Sequence, residues 1–160
     1  MLNIIVAICH HNAIGYQGRL LCPLQVDLQR FKKLTWGQKV IMGRKTYEAL
    51  PSPKLPNREK WVLTAQKITF PDATALHSID DILALDRPDE NIWIIGGGEL
   101  YRQTLPFAHK LYVTKIDYNA PDADTFFPAI APTQWQKISN QAGLENHIRF
   151  RFLEYKKIGE

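Results

Sequence analysis

Cysteine is scarce in this chain. Two occur in 160 residues, Cys9 and Cys22, and they sit in no CxxC spacing. A disulfide scaffold is excluded, and two cysteines cannot by themselves furnish a zinc-finger ligand set. Both are expected to be free thiols of a reducing compartment. Long apolar runs are missing too. The longest, Ile4 to Cys9, has six residues, against the roughly 20 that a helix needs to cross a bilayer. No Arg or Lys precedes residue 19, so the basic n-region of a signal peptide is lacking and a cytoplasmic location is expected. No Lys/Arg run exceeds two residues, which excludes a polybasic tail. GxSxG, HExxH, GxGxxG and Walker patterns are absent. The histidines are scattered apart from His10-His11, a loop pair without further nearby ligands, so no metal is expected.

What remains is ordinary globular composition, 45% hydrophobic and 22% charged. The length suits one domain, residues 1–160. The net charge of +4 is unevenly spread. Residues 1–80 carry 11 Lys+Arg against 5 Asp+Glu, and residues 81–160 carry 9 against 11. A basic half fits either nucleic acid or a phosphorylated small molecule.

Leu2 to Cys9 is continuous and β-branched, the pattern of an interior strand buried on both faces. A loop over His10 to Gly18 follows, then an amphipathic helix over Leu24 to Leu34. Strands are expected at Lys39–Met42, Trp61–Thr64, Asn91–Ile95 and Lys110–Ile116. Short helices are expected at Arg44–Leu50 and Glu99–Leu105. Ser78 to Asp81 resembles a capping box that opens another helix, running through Leu85. Trp135–Ile138 and His147–Lys157 alternate like an antiparallel hairpin. Strands separated by helices imply a mostly parallel sheet, to which the hairpin adds an antiparallel edge. Trp36, Trp61, Trp93 and Trp135 read as core and rim rather than a stacking platform.

Three features could carry chemistry. Leu24, Asp27, Leu28, Phe31 and Leu34 share one helix face, which sets a carboxylate into an apolar stripe. Asp27 could be an acid at the positive end of the helix dipole, or a lone acid lining a pocket for a ring that donates hydrogen bonds. Gly96-Gly97-Gly98 lies between a strand and a helix, where bare backbone amides suit phosphate, though glycines there are often structural. Gly43-Arg44-Lys45-Thr46 has the same placement. Its Arg could fork onto a monoester, or the segment could be a solvated basic helix start. In a doubly wound sheet such junctions lie together at the carboxyl ends of the strands.

Taken in order, these pieces resemble the dihydrofolate reductase family over essentially the whole chain. The specific stretches are Ile14-Gly15, Asp27 with Phe31, Val40 to Thr46, Leu55 to Arg58, Ile94 to Tyr101 and Asp124 to Pro128. The resemblance implies an α/β three-layer fold: a central eight-stranded, mostly parallel sheet with an antiparallel C-terminal edge, and four helices. It implies NADPH-dependent reduction of 7,8-dihydrofolate to tetrahydrofolate, with hydride passing from nicotinamide C4 to pteridine C6. Asp27 would be the catalytic acid that assists protonation of N5. Ile5, Val6, Ala7, Leu28, Phe31, Leu50, Leu55, Ile95, Tyr101 and Thr114 would line the substrate side, and Arg58 would hold the glutamate α-carboxylate. Ala7, Ile14, Gly15, Gly18, Leu20, Gly43, Thr46, Leu63, Ile95, Gly97, Gly98, Glu99, Leu100 and Tyr101 would meet the cofactor. Arg44, Lys45, Thr64 and Gln66 would surround the adenosine 2′-phosphate. The resemblance also implies a cis peptide between Gly96 and Gly97. Implied partners are a small-molecule substrate and antifolates, not nucleic acid or membrane, and the chain would be a monomer.

The family usually reads Pro-Trp-x-Leu-Pro ahead of the acid. Here the stretch is Leu21-Cys22-Pro23-Leu24-Gln25, and Asn57 replaces a frequent glycine. Cys22 offers only a weak S–H donor where the family has an indole N–H. Related readings are another pterin or pyrimidine reductase, or a folate-binding protein with weakened turnover.

Overall fold

The computed structural model describes residues 1–159. In chain order the elements are β1 (Leu2–Ile8), β2 (Ala13–Tyr16), β3 (Arg19–Leu20), α1 (Gln25–Thr35), β4 (Lys39–Gly43), α2 (Arg44–Ala49), β5 (Glu59–Leu63), β6 (Thr74–Leu76), α3 (Ile79–Leu83), β7 (Ile92–Gly96), α4 (Gly98–Thr104), β8 (Lys110–Ile116), β9 (Thr125–Phe126), β10 (Trp135–Glu145) and β11 (Ile148–Lys157). Eight strands form one sheet in the order β10-β11-β8-β1-β7-β4-β5-β6, and β3-β2-β9 form a small second one. The β6, β5, β4, β7, β1 and β8 strands are parallel neighbours. The hairpin β10/β11 joins antiparallel on β8.

Strand alternation sorts side chains to the two faces. Leu2, Ile4, Val6 and Ile8 of β1 share a core with Ile92 and Ile94 of β7, Ile82 of α3, and Leu100 and Tyr101 of α4. The residues between them face the other way. Val40, Met42 and Trp93 form a second core with Tyr47 of α2, and Ile5, Ile95, Tyr112 and Leu34 of α1 pack against it. Helices on both faces make three layers. A third, smaller core joins Leu24, Cys9 and Ala13 to Ile116 and Phe150 at the hairpin.

The expected core strands and helices form within a residue or two of their anticipated ends. Half of the capping box forms: Asp81 N donates to Ser78 Oγ at 3.2 Å, while Asp81 Oδ2 accepts from His77 N, one residue ahead of the cap. Residues His10 to Gly18 are not a plain loop. A 3-10 turn at His10–Asn12 leads into β2, because Ala13 and Gly15 pair with Phe126 and Thr125 of β9 far along the chain. β6 escaped the sequence reading. Its three residues gain strand character only by laddering onto β5, which no local pattern announces.

Candidate active site

Asp27 lies in the first turn of α1. Thr114 stands in phase with Tyr112 on β8, opposite the buried Leu111 and Val113, so its hydroxyl faces α1 and donates to Asp27 Oδ1 at 2.5 Å. Burial pushes the Asp27 carboxyl above its usual range. Thr114 and the Arg30 guanidinium oppose that rise, and the Glu145 carboxylate adds to it. Arg30 is itself latched to β11: its Nη2 lies 3.4 Å from Glu154 Oε1 and its plane sits 4.4 Å over the Phe152 ring.

Of the apolar stripe on α1, only Leu24 is buried; Phe31 and Leu34 are half-covered and Leu28 is exposed. Ile5, Ala7, Leu50, Leu55 and Ile95 are half-covered as well. A dry core would close over such residues, so this is an apolar surface shaped to be finished by something else. Val6 is buried on the opposite face of β1. Tyr101 is fully enclosed and donates its hydroxyl to Ile5 O at 2.8 Å. Burial, then the nearby Asp27 charge, drives its acidity far down.

Arg58 is preset. Its Nε donates to Thr35 Oγ1 at 3.2 Å, Nη1 to Pro56 O at 2.8 Å and Nη2 to Lys32 O at 3.2 Å. Trp36 lies beneath, 5.1 Å from the guanidinium carbon.

The two glycine junctions abut. A Cβ on Gly43 would sit 3.9 Å from both Gly96 O and Gly97 N, and one on Gly97 would sit 3.5 Å from Thr46 Oγ1. The Gly96–Gly97 peptide is cis. Gly96 has φ +123°, and any side chain there would press on Tyr101. Gly98 is tighter still: a Cβ would fall 2.6 Å from Thr125 Cγ2, with Ile14 Cδ1 3.8 Å away. Thus β2 and β9 rest on the start of α4. Gly15 lies in this ribbon, whereas Gly18 and Leu20 lie at its exposed outer end.

At the neighbouring edge, Arg44 Nη1 donates to Gln66 Oε1 and its Nε to Glu48 Oε1 at 2.7 Å. Gln66 N donates to Thr64 Oγ1 at 3.2 Å. Lys45 is exposed beside them and Leu63 is half-buried. The Glu99 carboxylate is turned to Arg102 and Gln103, and Leu100 is buried in the first core, so these two positions offer the junction backbone rather than side chain.

The comparisons agree with this geometry. The sequence matches the family model described as dihydrofolate reductase over residues 1–157. A dihydrofolate reductase of Bacillus subtilis is 36% identical, covering 98% of this chain and 95% of that protein. One from Haemophilus influenzae is 39% identical over 84% of this chain and 82% of its own length. The solved dihydrofolate reductase of Enterococcus faecalis, complexed with NADP(H) and RAB-propyl, superposes with a TM-score of 0.88 at 30% identity, covering 99% of this chain and 96% of that one. The chain belongs to the dihydrofolate reductase family.

Three residues around this candidate site were missed by sequence reasoning. Thr35 is fully buried, donates to Phe31 O and accepts from Arg58; its only signal was a threonine in a last helical turn, where back-bonding to the preceding turn is common. His77 stands 3.0 Å from Thr64 O through Nδ1. A carbonyl only accepts, so Nδ1 carries the proton. Glu145 reaches α1 from β10, with no local signal at all. Cys9 and Cys22 are free thiols, and burial pushes Cys9 up to about 11. His10 pairs with Asp117 at 2.6 Å. Among the described residues, no three His, Cys, Asp or Glu side chains converge as metal ligands, and no helix is long and apolar enough to cross a membrane.

Proposed function

We infer that this chain performs the family's reaction, the NADPH-dependent reduction of 7,8-dihydrofolate to 5,6,7,8-tetrahydrofolate, with Asp27 as the acid at the pteridine. The observation carrying this reading is the Asp27 carboxyl, held by Thr114 among half-covered apolar residues and made more basic by burial. A flat heterocycle with two N–H donors on one edge matches that carboxylate, while Ile5, Ala7, Leu28, Phe31, Leu50, Leu55 and Ile95 exclude water from its faces. With the carboxylate ionised against that edge, its negative charge favours the protonated ring. The carboxyl grips the amidine edge, so the proton for N5 arrives through solvent. Arg58, preset by three hydrogen bonds, has a fork that suits the glutamate α-carboxylate.

The residues present fit NADPH. Arg44, Gln66 and Thr64 already converge, and with Lys45 and His77 they make a donor set for a phosphate monoester. Gly43, Gly97 and Gly98 would give bare backbone to the pyrophosphate and nicotinamide, with Thr46, Ile14, Gly15, Gly18 and Leu20 around them. When bound, NADPH supplies the hydride that reduces pteridine C6. On this reading residues 1–160 work as one domain, a monomer of the cytoplasm.

NADPH oxidation, followed with and without dihydrofolate and again with an antifolate, tests the reading. Folate-dependent, antifolate-sensitive oxidation is expected. Activity on another pterin or pyrimidine alone would move the chain to a related reductase, and binding without turnover would make it a folate carrier.

A further inference from the structure

Helix α1 opens without a side-chain cap of its own. Gln25 at its first position has a backbone N–H to satisfy, and Leu24 at the N-cap offers no side-chain oxygen. A helix start leaves its first amides without partners. Here both are met by one carboxylate from 120 residues further on: Gln25 N donates to Glu145 Oε2 and Val26 N to Glu145 Oε1, each at 2.8 Å. Glu145 is the last residue of β10, opposite Ile148 across the hairpin ladder. Its approach is set by Phe150, which closes over Gly143 so tightly that a Cβ there would fall 2.2 Å from the ring. The hairpin side chains and Val26 line a cavity of about 640 Å³ beside this contact.

Asp27 is the next residue after Val26. The clamp therefore holds the turn that carries the acid from one side, while Thr114 holds the acid itself from the other. The charged and titratable groups facing Asp27 are Arg30 on α1, Glu145 on β10 and Tyr101 on α4, with Cys22 packed against the small core that holds Leu24 and Phe150. Arg30 is shared with Glu154. Among the described residues, Glu145 forms no ion pair.

We propose that Glu145 is a positioning residue of the reduction, seating the first turn of α1 by a two-oxygen cap and acting on Asp27 through its charge. The proposal rests on the reading of Asp27 as the acid. Its electrostatic part agrees with the upward push that Glu145 exerts on Asp27. A second negative group at the helix entry favours the proton on the Asp27 carboxyl. A purely structural cap would leave that balance untouched.

Isotope-edited infrared titration of the free protein follows the Asp27 carboxyl, with Asp27→Asn identifying its signal. Glu145→Gln keeps one acceptor and loses the charge, so the Asp27 midpoint is expected to move to lower pH. The pH at which single-turnover hydride transfer declines should move the same way. An unmoved midpoint overturns the proposal. Glu145→Ala should lower kcat/KM about fivefold through loss of the cap. Adding Gln25→Pro removes one orphaned amide and supplies a helical φ, so it should restore most of that loss. Equal losses with and without the proline also overturn the proposal. Asp27→Asn in the same assay separates the two ideas. Normal turnover in that variant sinks both. Lost turnover, with Glu145→Gln titrating like the parent, sinks only the role of Glu145.

Discussion

Asp27 is a carboxyl placed where its charge is unwelcome, and the consequences run through both stability and rate. Burial holds its folded-state value above the ordinary one, so the native state binds this proton more tightly than the unfolded chain does. Stability must then fall as pH rises through the interval above the ordinary value, and at neutral pH the charged group opposes folding. Asp27→Asn is expected to raise the thermal unfolding midpoint at neutral pH, with the gain vanishing below about pH 4, where both states are protonated. The same variant should lose turnover by roughly 100-fold or more, while the NADPH dissociation constant, read by fluorescence titration, stays within about twofold. Cys22 tests a second residue. It offers only a weak donor where the family resemblance implies an indole N–H, so Cys22→Trp should speed the proton-coupled step or tighten diaminopyrimidine inhibitors. Unchanged rates and inhibition constants would show that the missing indole has no consequence here.

At the scale of elements, the site depends on contacts between segments that cannot back away. The start of α4 lies against β9 with no room for a methyl: Thr125 is β-branched, and the strand behind it is paired to β2. Gly98→Ala is expected to cost about 1–3 kcal/mol of stability by overpacking, and to weaken NADPH binding more than dihydrofolate binding, since the displaced β9 is paired to β2, which carries Ile14. Denaturant unfolding and separate ligand titrations check both parts. Arg58 sits between the end of α1 and the proline-rich loop, tied to Thr35, Lys32 and Pro56. Lysine has a point charge and no planar fork, so Arg58→Lys should raise KM for dihydrofolate by about tenfold or more and leave kcat near the parent value. These elements were legible to different degrees. β1, β4 and β7 declare themselves because burial on both faces demands unbroken apolar runs. The hairpin declares itself by alternation, although the sequence reading stopped its first arm at Ile138 and the arm runs on to Glu145. Residues 139–145 are mostly exposed and polar, so the ladder to β11 alone makes them strand. The same is true of β6, β2, β3 and β9.

For the whole molecule, the excess of positive charge in residues 1–80 includes Arg44, Lys45 and Arg58, the groups proposed to meet a phosphate and a carboxylate. NADPH affinity should therefore weaken as ionic strength rises, and Arg44→Gln should both blunt that dependence and narrow the preference for NADPH over NADH. Isothermal titration at low and high salt measures each. By itself the sequence determined the α/β class, the parallel core strands, the two strand–glycine–helix junctions and an acid on an apolar helix face, because hydrophobic period and glycine placement are local properties. Only the tertiary structure decided which groups meet: Thr114 under Asp27, Thr35 behind Arg58, Gln66 and His77 beside Arg44 and Thr64, and Glu145 at the mouth of α1. Those pairings join residues between 13 and 120 positions apart. A side chain's hydrogen-bonding capacity says nothing about its partner until sheet order and register bring distant segments to the same edge.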